Sequence, residues 1–170
     1  MVQSRADAES LVKFARYPSV GERSFGPFQA PWADLAENSD IVKYVTKSAP
    51  AVAVIPMIES RAGVADAEGI MTTEGVTGIF VGPVDLRLSM GLTGADGEEP
   101  EYVEALEMIL RIGKRVGIPV GIFAASPDAL KKQIGMGFTY FLVTGDSAAL
   151  SSGAQVAIET SRQVCRDLKL

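Results

Sequence analysis

Four short apolar runs punctuate the chain, at 51–58, 78–81, 119–124 and 139–143, and between them apolar residues recur three and four positions apart. The first run, Ala-Val-Ala-Val-Ile-Pro-Met-Ile, has no polar alternation, the pattern of a strand in a parallel sheet covered by helices on both faces. The strongest helical pattern spans 101–116: Val103, Leu106, Ile109, Leu110 and Gly113 share one side, and Gly117 and Pro119 follow its end. Ser4-Arg5-Ala6-Asp7 reads as a capping box opening a helix with Ala8, Leu11, Val12 and Ala15 on its apolar side, stopped by Tyr17-Pro18. Ser60 caps a short helix through Val64, Ala67 and Ile70. Ser126-Pro127 starts another that Gly135 and Gly137 close, and 154–168 forms a final amphipathic helix. A further helical region is expected at about 34–47. Before it, the rings of Phe25, Phe28 and Trp32 order the loop at 18–31 against the body, with Arg23 helping to fold it down.

Strand and helix thus alternate four times, which predicts parallel βα units with right-handed crossovers in a single domain over 1–170. Eight such units typically take about 250 residues, so four make either a small open sheet or the later part of a barrel. At most three residues precede the first helix where the pattern requires a strand, so the chain is expected to begin inside a unit.

The first two apolar runs each lead into a carboxylate, Glu59 and Asp85. Ligands of α/β proteins sit at the carboxyl ends of parallel strands, so these two acids are candidates for one shared site. The alternative is that each only caps or solvates the helix that follows. Asp146 holds a similar rim position after the fourth run, but Gly145-Asp146 reads as a turn and helix cap.

Composition narrows the chemistry. Hydrophobic residues make up 47% of 170, enough for one substantial core, and a net charge of -5 without a basic run argues against a nucleic-acid partner. No apolar segment approaches the roughly 20 residues needed to cross a bilayer, and no signal-peptide pattern opens the chain, so a cytoplasmic protein without a membrane partner is expected. The lone Cys165 cannot form an internal bridge and is expected to be buried or partly buried in the last helix. With no histidine in the chain, Ser-His and Cys-His arrangements are excluded. Chemistry must rest on carboxylates, backbone amides, Lys, Arg or a bound metal.

Met1-Val2-Gln3, Ala15-Arg16-Tyr17-Pro18, Gly21 with Arg23 and Gly26, Ile55-Pro56-Met57-Ile58-Glu59, Val81-Gly82-Pro83-Val84-Asp85-Leu86 and Gly121-Ile122 together resemble the HpcH/HpaI aldolase family. This family comprises divalent-metal pyruvate aldolases of the phosphoenolpyruvate/pyruvate superfamily. The resemblance runs in order along essentially the whole chain. It implies an incomplete (β/α)8 TIM-type barrel, from the end of the fourth strand onward. It also implies a metal-dependent carbon-carbon lyase that makes or cleaves 4-hydroxy-2-oxoacids with pyruvate as donor, or decarboxylates oxaloacetate. Glu59 and Asp85 would hold Mg²⁺ or Mn²⁺. Gly82, Pro83 and the amides of Val84 and Asp85 would receive the 2-oxoacid carboxylate, and Phe123 would line the aldehyde side. Position 57, where the family usually carries a substrate-contacting Gln, is Met57. The family's catalytic histidine and substrate-binding arginine belong to strands this chain lacks, so the resemblance assigns no catalytic residue here. The partners implied are a 2-oxoacid, pyruvate or oxaloacetate, and an aldehyde, within a homo-oligomer; a second expectation is an inactive, shortened relative serving as a binding or structural subunit.

Overall fold

The computed structural model describes residues 1–26 and 40–169. The expected elements at 27–39, including Phe28, Trp32 and the start of the second helical region, lie outside the described residues. Four parallel strands, β1 (Met57–Ile58), β2 (Ile79–Val81), β3 (Val120–Phe123) and β4 (Tyr140–Leu142), pair in chain order. The Val2 amide donates to Met57 O at 3.3 Å, so the first residues lie alongside β1.

The helices are α1 (Arg5–Ala15), α2 (Ile41–Lys43), which continues through a π-helical stretch (Tyr44–Ser48) into α3 (Ala49–Ala51), then α4 (Arg61–Ala65), α5 (Ala67–Met71), α6 (Pro83–Ser89), α7 (Pro100–Val116), α8 (Pro127–Met136) and α9 (Asp146–Asp167). Their starts follow local chemistry. The Asp7 amide donates to Ser4 Oγ, and the Asp7 carboxylate accepts in return from the amide of Gln3, the residue before the cap. Gly63 and Ala129 amides likewise donate to Ser60 and Ser126. Gly117 ends α7 at φ 76° and Gly137 ends α8 at φ 109°, conformations that suit glycine.

Two expectations are corrected. The strand expected at 51–58 is confined to Met57–Ile58: Ala51 belongs to α3, the end of a continuous helical stretch, and 52–56 run in ahead of the paired strand. Asp85 does not end a strand; it lies in the first turn of α6, since Pro83 starts a helix directly after Gly82.

Register fixes what each face carries. Ile58, Val81 and Ile122 are level with one another and fully buried, packed in one core with Ile70, Met71, Leu86, Tyr102 and Ile109 from the helices. Met57, Phe80, Gly121 and Tyr140 form a row on the opposite face, followed toward the strand ends by Phe123 and Leu142. That face is the more open one: Met57 and Leu142 are exposed, and Phe80, Phe123 and Tyr140 half-buried. Helices therefore seal one face, and the other is lined as the inside of a barrel is lined.

α9 carries no buried residue, and Cys165 is exposed, against expectation. Its apolar stripe is real, but among the described residues nothing packs on it.

Beyond α6, the turn into α7 is held by Arg87. Only 3% exposed, it makes a fork to Glu99, Nη1 to Oε2 at 2.7 Å and Nη2 to Oε1 at 2.9 Å. Nε and Nη2 donate to Thr93 O at 3.1 and 2.9 Å, and the guanidinium lies 4.9 Å from the Tyr102 ring centre. A side chain at Gly97 would collide with Arg87 and Glu99, so glycine there makes room for the clamp.

The Arg87 guanidinium lowers the Glu99 carboxyl to about 2 from its usual 4.5. A depressed carboxylate contributes stability that is complete above its unfolded value and lost as pH falls toward the folded one. Glu99→Gln is therefore expected to flatten the fall in melting temperature between about pH 4.5 and 2 relative to the parent protein, as read by circular dichroism.

Candidate functional site

At the carboxyl ends of β1 and β2 the structure brings three of the expected residues together. Glu59, 9% exposed, turns its carboxylate over Gly82: a Cβ built on Gly82 would lie 2.6 Å from Glu59 Oε2, 2.9 Å from Glu59 Cβ and 3.2 Å from Met57 Sδ. Only glycine lets the β2–α6 turn approach the carboxylate this closely. The Gly82 amide donates to Ile58 O at 3.2 Å, which ties the turn to the residue before Glu59.

Pro83 is buried in the first position of α6, while Val84 and Asp85 beside it are exposed. The first intrahelical bond of α6 runs from Leu86 N to Gly82 O at 2.9 Å, so the Val84 and Asp85 amides precede any helical acceptor. Asp85 therefore stands in the helix's first turn, three residues from the glycine under Glu59. Phe123 ends β3 on the same open face.

Sequence reasoning did not foresee one neighbour: the amino group of Met1 lies 3.5 Å from Glu59 Oε1, a positive charge beside the buried acid. Asp146 is the first residue of α9 and accepts from the Ser147 amide at 2.7 Å; the cap position is Gly145, and no side chain caps this helix, so the cap expected of Asp146 is not made. Arg23 lies 4.8 Å from the Tyr17 ring centre and its amide donates to Arg16 O at 2.8 Å, so it folds the loop onto the end of α1. Among the described residues no three His, Cys, Asp or Glu side chains gather into a metal cage. What Glu59 and Asp85 offer is two hard oxygen donors, which suits an ion that keeps several waters, as Mg²⁺ does.

The fold and this rim define a barrel-type α/β protein with its polar groups at the strand ends. The family model described as HpcH/HpaI aldolase/citrate lyase matches residues 1–151, and the chain belongs to that family. It is 32% identical over 163 residues to a hydroxypyruvate/pyruvate aldolase of Rhizorhabdus wittichii, covering 95% of this chain and 62% of the relative. It is 29% identical to a 4-hydroxy-2-oxo-heptane-1,7-dioate aldolase of Klebsiella pneumoniae, covering 91% of this chain and 57% of that protein. The crystal structure of an HpcH/HpaI aldolase/citrate lyase family protein from Burkholderia cenocepacia superposes with a TM-score of 0.75 at 31% identity, over 95% of this chain and 63% of that one. The four parallel βα units are thus part of a TIM-barrel-type fold, and the chain spans about 60% of the length of the relatives it matches.

Proposed function

We propose that this chain carries the metal and 2-oxoacid half of a carbon-carbon lyase site, acting on 4-hydroxy-2-oxoacids, or on oxaloacetate, with pyruvate as the common fragment. The observation that carries the reading is the Glu59 carboxylate held against the glycine of the Gly82-Pro83-Val84-Asp85 turn. Glu59 and Asp85 would hold Mg²⁺ or Mn²⁺, which supplies polarisation of the 2-oxo carbonyl. The amides of Val84 and Asp85 donate to the 2-oxoacid carboxylate without bringing a competing charge. Met57 and Phe123 border the bound methyl group and the aldehyde. Met57 offers no N–H where the family carries Gln, so one substrate oxygen goes without that donor. None of the 170 residues is a histidine, and proton transfer is assigned to no side chain of this chain.

The test is pyruvate binding followed by calorimetry with Mg²⁺ and again with EDTA. Binding that requires the ion is expected, with little or no turnover of oxaloacetate by the 170-residue chain. Pyruvate binding that survives EDTA unchanged, or fails in both conditions, overturns the proposal.

A further inference from the structure

The peptide that carries Phe123 is held in an unusual way. Along β2 and just past it, the amides of Phe80 and Gly82 donate back toward β1, at Pro56 O and Ile58 O, whereas Ile79 donates forward to Pro119 O, the residue before β3, at 2.9 Å. Stepping two residues along each parallel strand, the forward donors are 79, 81 and 83 and their acceptors the carbonyls of 119, 121 and 123. Position 83 is proline and has no N–H. The Phe123 carbonyl therefore has no ladder partner: β2 has ended at Val81, and position 83 is the proline that opens α6.

Gln133 on α8 fills the vacancy. Its Nε2 donates to Phe123 O at 3.1 Å from a side chain only 5% exposed. Its Oε1 is buried with no partner among the described residues. Burying the Oε1 end unsatisfied is unfavourable, but the Nε2 end supplies the Phe123 carbonyl, which an apolar residue at 133 would leave without a donor.

Resting on the reading of the site given above, we infer that Gln133 is a positioning residue that sets the Phe123 peptide, and through it the wall against which the aldehyde side of the substrate lies. Phe123 touches the ligand; Gln133 acts only through it.

The experiment compares two 2-oxoacids in the presence of Mg²⁺ by calorimetry: pyruvate, which ends at its methyl group, and 2-oxohexanoate, whose apolar tail extends toward Phe123. In Gln133→Leu, and in Gln133→Met beside it, the Kd of 2-oxohexanoate is expected to rise about five-fold while that of pyruvate stays within about two-fold. In a Phe123→Leu background Gln133→Leu is expected to add nothing further. Melting temperatures should stay within a few degrees of the parent protein. Equal changes for both ligands, no change for either, full additivity with Phe123→Leu, or variants that fail to fold would each overturn the inference. If the parent protein binds neither acid with Mg²⁺, the site reading itself fails before any variant is compared.

Discussion

Glu59→Gln is expected to weaken Mn²⁺ binding by at least about a hundred-fold, measured by titration calorimetry, while Asp146→Asn leaves it within about two-fold. Loss of a group merely supporting a ligand already costs 10- to 100-fold in typical metal sites, so loss of one of two carboxylate ligands sits at or beyond the upper end. The contrast between the two variants separates a ligand from a rim acid. Glu59 is buried with its oxygens over Gly82, whereas Asp146 is exposed and accepts from its own helix. A neutral amide keeps the shape of Glu59 and removes only the charge, so the fold should survive. If both variants bind Mn²⁺ as the parent does, the ion is held elsewhere.

The second large effect is on stability. Tyr140 lies across Gly121, its neighbour in the register of β3 and β4, and donates its hydroxyl to Ile79 O on β2. Burial raises the phenol to about 12, so the hydroxyl keeps its proton and the bond persists through the neutral range. A Cβ at Gly121 would collide with the Tyr140 ring. Gly121→Ala must therefore displace the ring, at about 1–3 kcal/mol for overpacking, and breaks a hydrogen bond worth about 1 kcal/mol. For a chain of this size each kcal/mol lowers the melting temperature by about 2–4 °C. A fall of roughly 5–15 °C is expected by differential scanning calorimetry, and Tyr140→Leu in the same chain should return part of it. A Gly121→Ala variant that melts with the parent would mean that the ring has room to move.

Much of this was legible in the chain itself, for reasons that are local. A serine hydroxyl reaches an amide three residues on whatever the rest of the protein does, so Ser4, Ser60 and Ser126 mark helix starts that the structure contains. The apolar runs located all four strands, and the Gly82-Pro83-Val84-Asp85 stretch placed the turn beside Glu59. Two misses were local, the helical residues at Ala51 and at Pro83 where strand was read on, and the others depend on partners far away. Periodicity shows that 154–168 has an apolar stripe but not what covers it, so Cys165 was expected inside and stands exposed. The Arg87–Glu99 clamp spans twelve residues and has no spacing signature; only the fold makes the pair meet. The Gln133 contact had a faint signal, a proline that ends the β2 ladder one residue past Gly82, but reading it requires the register of β2 and β3, which no run of residues states.

Crystals soaked with Mn²⁺ and pyruvate, with data collected at the manganese absorption edge, should show one anomalous peak within about 2.0–2.3 Å of a carboxylate oxygen from each of Glu59 and Asp85, with the pyruvate carboxylate facing the Val84 and Asp85 amides. A peak bonded to only one of the two acids, or located away from the β2–α6 turn, would contradict a shared metal site.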